Sequence, residues 1–434
     1  MLKFLTRFQS SVFITLIAYL ALCSAPLSAS EAAVDVFERF QKAVFQIKIL
    51  EQGSESQSSL GTGFAISDYV LATNYHVIAS AIFEPSKYRI EIKRGEQTVL
   101  MDIVAIDVVN DLAILAQKPG DDSQPEPFEL AFELAKNAVS QGETLYSLGN
   151  PHNLGLTVVG GNFNGFVEHR FNEQIHFSGA VNPGMSGGPV VGRDAAVVGI
   201  NVATSGNQIG FLVPVAKLLT LRESLEESLT PLSSDALKTV IAQQVGEYTQ
   251  AMVDAALADS WTEKSIGEAT VASSGKNWLD CWGDSDDDKE QGTLTVNQGC
   301  HSGAVTFLNV GFNTGFIEYE YMWFEAPAWP SLSVYRKLAF ETARAMPSNR
   351  GRDTDLTSFD CKNAEVVNGQ GFEARTSYCV RAYKELPGLF DVFFMAVSTD
   401  RPKAGLMTHF TLAGVNRSVA ERFLAHFIEV PSWQ

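Results

Sequence analysis

From Ala43 to about Val213 turn-forming residues cut the chain into short apolar runs, and this spacing restricts the fold more than any other feature. "AVFQIKIL", "GTGFAIS", "YVLATN", "YRIEIKR", "VLMDIVAID" and "LAILAQ" come first; "ETLYSLG", "GLTVVGG", "GFVEHRF", "QIHFSGA", "AAVVGINVA" and "IGFLVPV" follow. Turns recur roughly every 8–12 residues, which is the pattern of an all-β barrel or sandwich. The Pro- and acid-rich stretch Lys118–Asn137 interrupts the series and reads as a connection between two β units, at about 40–118 and 138–214.

After Pro214 the period changes. Leu218, Leu221, Leu225 and Leu229 recur at helical spacing. A second helix is predicted from Asp235 to Ala258, with Leu237, Val240, Ile241, Val245, Tyr248 and Met252 on one stripe. Beyond it "VTFLNVGFN", "FIEYEYMWF", "TSYCVRAY" and "FDVFFMAVS" read as strands, and the aromatic run Tyr319–Pro330 reads as a core strand and turn, with an exposed binding edge as the alternative. "SVAERFLAHFIEV" reads as a closing helix with Ser418 and Glu421 in capping-box spacing. The expected organisation is a double-barrel unit over 31–220, a helical linker over 221–262 and an α+β domain over 263–434.

The first thirty residues read as an export signal: Lys3 and Arg7, then an apolar run over Ser11–Cys23, then the small residues Ser28, Ala29 and Ser30. A retained anchor helix is the alternative, since the run approaches membrane-spanning length. Four cysteines follow the signal, and an even count in an exported chain points to two disulfides. Of the three pairings, Cys281–Cys300 and Cys361–Cys379 are the short closures and are favoured. The net charge of −18 argues against a nucleic-acid partner, and loss of Lys3 and Arg7 would make it two units more negative.

"AVNPGMSGGPV" (Ala180–Val190) crowds Asn182, Pro183, Gly184, Gly187 and Gly188 around Ser186, too much Gly and Pro for a helix interior or a regular strand. A serine held in such a cradle needs a base to take its proton and an acid to orient that base. Among seven histidines, His76 stands out: it follows two strand-like runs and opens a short apolar turn, "HVIASA". Asp111 is a charge at the start of a strand, flanked by Val108, Val109, Leu112 and Ile114. The chain order His76, Asp111, Ser186 differs from the Ser…Asp…His order of α/β-hydrolases, which disfavours a lipase or esterase.

Here "TNYHVI", "NDLAIL" and "NPGMSGGPV" resemble the three active-site motifs of trypsin-like serine proteases, nearest to the HtrA/Deg branch, over about residues 40–220. The resemblance implies an all-β chymotrypsin-like double barrel with the active site between the barrels. By motif, Ser186 is the nucleophile, His76 the base and Asp111 its orienting acid. The backbone of Gly184, Met185 and Ser186 forms an oxyanion hole. Ala180, Val181, Asn201, Val202, Ala203 and Gly210 align with the substrate pocket, together with Phe211. No acid is among them, so cleavage after small or medium apolar residues is expected and cleavage after Lys or Arg is not. Two departures, Met185 for the usual Asn and Gly179 for an Asp, suggest a cradle that substrate orders.

Residues 230–434 do not resemble the PDZ module common in that branch: they are too long, carry cysteines and lack a Gly-Leu-Gly-Phe loop. "GDSDDDKEQG" (Gly283–Gly292) has Lys289 and Thr295 where a calcium loop needs Gly and an acid, so it reads as a solvated acidic turn. The other histidines read as structural, and no cofactor or metal is expected. The expected function is an exported serine endopeptidase acting on polypeptides, whose C-terminal domain docks substrates, partners or further copies. Membrane contact is expected only if the N-terminal segment is retained. The competing reading is a non-catalytic binding or chaperone-like protein on a protease scaffold.

Overall fold

The computed structural model describes residues 29–94, 97–119, 125–204, 209–225, 229–258, 260–347, 349 and 351–434. The apolar run of the expected signal lies outside these residues. Among the described residues no helix is long and apolar enough to cross a membrane. Helix α1 (Ala29–Phe40) leads into two closed six-stranded barrels, the chymotrypsin-like arrangement.

The first barrel holds β1 (Val44–Glu51), β2 (Gln57–Ser67), β3 (Val70–Thr73), β4 (Tyr88–Arg94), β5 (Gln97–Asp107) and β6 (Leu112–Gln117), in the order β1-β2-β3-β6-β5-β4. The second holds β7 (Thr144–Gly149), β8 (Thr157–Phe166), β9 (Ile175–Phe177), β10 (Pro189–Val191), β11 (Val197–Thr204) and β12 (Gly210–Pro214), in the order β10-β11-β12-β9-β8-β7. Eleven of the twelve strands fall on the expected runs; β10 lies in the serine motif instead, and the expected run "GFVEHRF" supplies only the end of β8 before the chain turns. "HVIASA" is more than a turn: it belongs to helix α2 (Tyr75–Phe83). Tyr75, Ile78, Ala79 and Ile82 recur there at helical spacing and pack inward, which leaves His76 on the other side of the first turn.

Helix α3 (Val215–Glu223) ends before Leu225, so the leucine repeat outlasts the helix. Helix α4 (Ser234–Leu257) is capped by Ser233, whose hydroxyl accepts from the Ala236 N–H at 3.2 Å. It is more than a tether. Leu237, Ile241 and Val245 join a core with Ile47, Leu71 and Tyr75 of the first barrel region, and the same cluster takes in Leu308, Phe312 and Leu389 of the C-terminal half. Two helical turns on, Met252, Val253 and Ala256 enter the core of the C-terminal sheet. The two halves therefore share buried apolar surface, so they behave as packed neighbours.

That half carries a three-stranded sheet of β13 (Thr262–Ile266), β14 (Ala269–Ser273) and β24 (Ser432–Trp433). Its main feature is a seven-stranded antiparallel sheet, β15 (Leu279–Asp288), β16 (Thr293–Ser302), β19 (Phe316–Glu325), β23 (Ala404–Val415), β22 (Phe390–Ser398), β21 (Glu373–Ala382) and β20 (Asp360–Val367). A hairpin, β17 (Thr306–Asn309) and β18 (Phe312–Thr314), precedes β19, and α5 (Ser331–Arg344) follows it. Trp323, Tyr319 and Tyr321 of the aromatic run are buried core, as expected.

Most of the acidic "turn" is strand: β15 runs through Asp288 and pairs with β16 at the sheet edge. Its charges give no apolar alternation to read, yet an acidic edge discourages pairing with another chain. The closing helix α6 (Arg417–Phe427) is capped by Asn416, whose side chain accepts from the Val419 N–H at 3.0 Å. Ser418 instead donates to Asn416 at 2.9 Å, and Glu421 pairs with Arg417, so the capping box is displaced. Both favoured disulfides are formed, each joining directly opposed residues of an edge hairpin: Cys281–Cys300 across β15 and β16, Cys361–Cys379 across β20 and β21.

Candidate active site

His76 and Asp111 meet at two points. The carboxylate lies 2.6 Å from His76 Nδ1 with one oxygen and accepts the His76 backbone N–H at 2.8 Å with the other. The ring's tautomer and tilt are therefore fixed from one side chain. Asp111 reaches this position from a left-handed backbone, φ 55°, which Asp tolerates better than most residues. The preceding turn is set by Asp107, which accepts from both the backbone and the side chain of Asn110. Asn74 donates to the Asp111 carbonyl at 2.8 Å, tying the start of α2 to the same loop. Burial of the ring disfavours its charged form. The charge and hydrogen bond of Asp111 outweigh this, and the His76 pKa is raised from its ordinary value.

Ser186 sits on a turn woven into both barrels. Gly184 and Gly187 take φ of 96° and 84°, where a side chain is strained. A Cβ at Gly187 would lie 2.3 Å from the Thr62 carbonyl and from Thr73 Oγ1, so the turn packs flat on β2 and β3. Thr62 is fully buried and has three jobs there: its N–H donates to the Ser186 carbonyl at 2.8 Å, its hydroxyl donates to the Gly184 carbonyl at 2.6 Å, and the hydroxyl accepts the Asn150 N–H at 3.0 Å. The Pro183 carbonyl accepts from the His152 N–H at 3.0 Å. Across that trans peptide the Gly184 N–H points the opposite way, and among the described residues neither it nor the Ser186 N–H donates to a protein acceptor. The Met185 N–H, by contrast, is used within the turn on the Asn182 carbonyl at 2.9 Å. Met185 is fully buried among Leu145, Phe177 and Val181. Its side chain is an apolar plug beneath the serine, and the cradle is tied without substrate.

The serine hydroxyl itself makes a long contact, 3.5 Å, to the Val202 carbonyl, and among the described residues no hydrogen bond joins it to His76. A cavity of about 380 Å³ opens beside His76, Asp111 and Val202. Of the expected pocket residues, Val202 lines this cavity. Val181 packs into the second barrel, and Asn201 is buried with its side chain on Ser147 and the Leu148 carbonyl. Gly210 lies against Val181 and Ala180 is half-buried, while the side chain of Ala203 lies outside the described residues. Phe211 is covered by the Arg170 guanidinium, 5.0 Å from its ring centre.

Three supporting groups escape a reading of the motifs. Thr62 is one, hidden in "GTGFAIS" as an ordinary strand residue. The other two involve residues outside the barrels. Gln244 of α4 accepts the Val108 N–H at 2.8 Å and donates to the Ile106 carbonyl at 2.9 Å, gripping the loop that carries Asp111. Tyr75, next to His76, donates to the Leu308 carbonyl of the C-terminal hairpin at 2.8 Å. Burial, then the charge of Asp111, pushes its pKa well up, so it remains a donor.

Part of the chain is similar to known proteins. Residues 61–200 match the trypsin-like peptidase domain. The mitochondrial serine protease HTRA2 of Bos taurus is 29% identical over 209 residues, 45% of this chain and 43% of that protein. A probable periplasmic DegP-like serine endoprotease of Rickettsia prowazekii is 32% identical over 170 residues, 36% of this chain and 31% of that protein. The crystal structure of Deg5 shares 24% identity over 44% of this chain and 93% of that one, with a TM-score of 0.38. The matched part spans less than half the length of these curated relatives.

Proposed function

We propose that this chain is an exported serine endopeptidase, a trypsin-like double barrel of the HtrA/Deg kind in which Ser186, His76 and Asp111 carry the reaction. The two-point hold of Asp111 on His76 is the observation that carries the reading. It leaves the far ring nitrogen, Nε2, as the proton acceptor.

Catalysis begins with rotation of the Ser186 hydroxyl from Val202 toward His76. As Oγ bonds to the peptide carbonyl carbon, its proton passes to His76 Nε2 and the carbonyl electron pair moves to oxygen. The two free N–H groups, of Gly184 and Ser186, are the donors for that oxyanion, and loss of one such donor costs ~10²–10³ in rate. Met185 supports the turn by packing and gives no donor. Collapse of the intermediate breaks the C–N bond, and the departing amine takes the proton from His76. Water then repeats the sequence on the acyl-enzyme. Val202 at the serine hydroxyl and the lack of an acid among the pocket residues named by motif support cleavage after small or medium apolar residues. Two disulfides, the N-terminal segment and the periplasmic DegP-like relatives support an exported location.

The test is casein cleavage by the purified chain and by Ser186→Ala. Loss of cleavage in the variant with an unchanged circular dichroism spectrum supports the proposal. Equal cleavage by both, or none by the wild type, rejects it.

A further inference from the structure

The cavity beside His76 is not closed by the barrels alone. The barrel unit contributes Val108, Val109 and Val202 together with polar groups from Asn110–Asp111 and from Arg170 to Gln174, and the C-terminal half contributes residues 303–307, which lead into and open its hairpin. Phe307 meets His76 edge-on, with ring centres 6.1 Å apart. Val305 is 55% exposed although no charge accompanies it in Gly303–Phe307, a stretch of small and apolar side chains. The segment is also anchored: the Leu308 carbonyl takes the Tyr75 hydroxyl, and Leu308 itself is fully buried in the core shared with α4. An anchored strip of small and apolar residues, lining the same cavity as Val108, Val109, Val202 and His76, is placed to meet a peptide side chain next to His76. At about 380 Å³ the cavity lies at the small end of the roughly 300–1,000 Å³ found for ligand clefts, room for side chains and not for a folded partner.

We infer that Gly303–Phe307 is a wall of the substrate cleft, so that the C-terminal domain selects an apolar substrate side chain flanking the scissile bond. This rests on the peptidase reading for the identity of the occupant. The physical reason for selection is desolvation. Asp111, Arg170 and Glu173 also line the cavity but are engaged by His76, Gln174 and Lys217. A charged side chain against Val305, Phe307 and Val202 would therefore give up water without gaining a free counter-charge, whereas an apolar one gains by burial. Val305 is the contact through which this preference can be inverted, because its exposure lets a charge be introduced without disturbing the core.

The experiment measures binding in the full-length Ser186→Ala chain, so that it does not depend on turnover. Fluorescein-labelled peptides carry alanine at the scissile position, and one flanking residue at a time is Leu, Asp or Lys. Anisotropy titrations compare Val305 with Val305→Asp and Val305→Lys. The expected result is Leu preferred by the unaltered cleft, with Lys gaining at least tenfold over Asp in Val305→Asp and the reverse in Val305→Lys, at one flanking position. Affinity ratios that stay within twofold in both variants overturn the inference. So does a uniform gain for every peptide, which would mark the segment as an obstruction. Fluorophosphonate labelling of the chain with Ser186 intact judges the peptidase reading separately.

Discussion

The turn around Ser186 is held from within the two barrels, whereas the His76–Asp111 pair is held partly from outside them. Thr62, Thr73 and Asn150 meet the serine turn and all belong to the double-barrel unit. The loop of Asp111 is gripped by Gln244 of α4, and the helix of His76 is tied to the C-terminal hairpin through Tyr75. On the proposed roles, the nucleophile side is thus self-contained, and the acid–base side depends on the half of the chain that the protease motifs do not cover. A charge-orienting pair tolerates little displacement, so the extra contacts are placed where geometry matters most.

The comparison can be broken at its strongest contact first. Asp111→Asn should lower kcat by about 10⁴, because the amide favours the wrong histidine tautomer. As the proposed base His76 must be neutral to accept the serine proton, and its pKa is raised by Asp111, so kcat/KM should fall on the acid side at a pH above the usual ~6.5 of histidine. In Asp111→Asn that limb should move to lower pH; a limb that stays in place would remove Asp111 from its orienting role.

Gly187→Ala tests the serine side. Its Cβ would collide with β2 and β3, so activity should drop on the order of 10²–10³ through displacement of the oxyanion donors. A variant of near wild-type kcat would show that the turn is loosely held. Thr62→Val should be milder. It leaves the Gly184 carbonyl and Asn150 N–H without their shared hydroxyl, a loss of ~1–3 kcal/mol in a urea titration, with kcat falling and KM little changed.

Gln244→Leu sharpens the contrast most finely. Two backbone groups of the Asp111 loop lose partners at a cost of ~1–3 kcal/mol if they stay buried. The acid limb of kcat/KM should shift with it, while fluorophosphonate labelling at high pH, where His76 is neutral in either case, should change little. Equal losses at every pH would mean that the glutamine only stabilises the fold.

Much of the barrel unit was legible because its signals are local. Strands buried on one face alternate, turns carry Gly and Pro, and the three motifs recur in a fixed order. The wrong expectations share a cause. "HVIASA" was too short to display a helical period, and β15 carries no apolar face because it lies at a wet edge. Ser418 and Asn416 both suit a cap, and the choice between them is set by where the chain enters the packed face of α6. Val181 lies just before the serine turn and Asn201 aligns with the pocket by motif, yet side-chain direction sends both into the barrel. The supports from Gln244 and Leu308 come from 136 and 233 residues away, and no local pattern encodes such contacts.

The most direct test is to treat the purified full-length chain with diisopropyl fluorophosphate and locate the adduct by peptide mass spectrometry. A single adduct on Ser186, forming more slowly as pH falls through the raised His76 pKa, is the result predicted. No adduct at any pH, or one on a different serine, would contradict it.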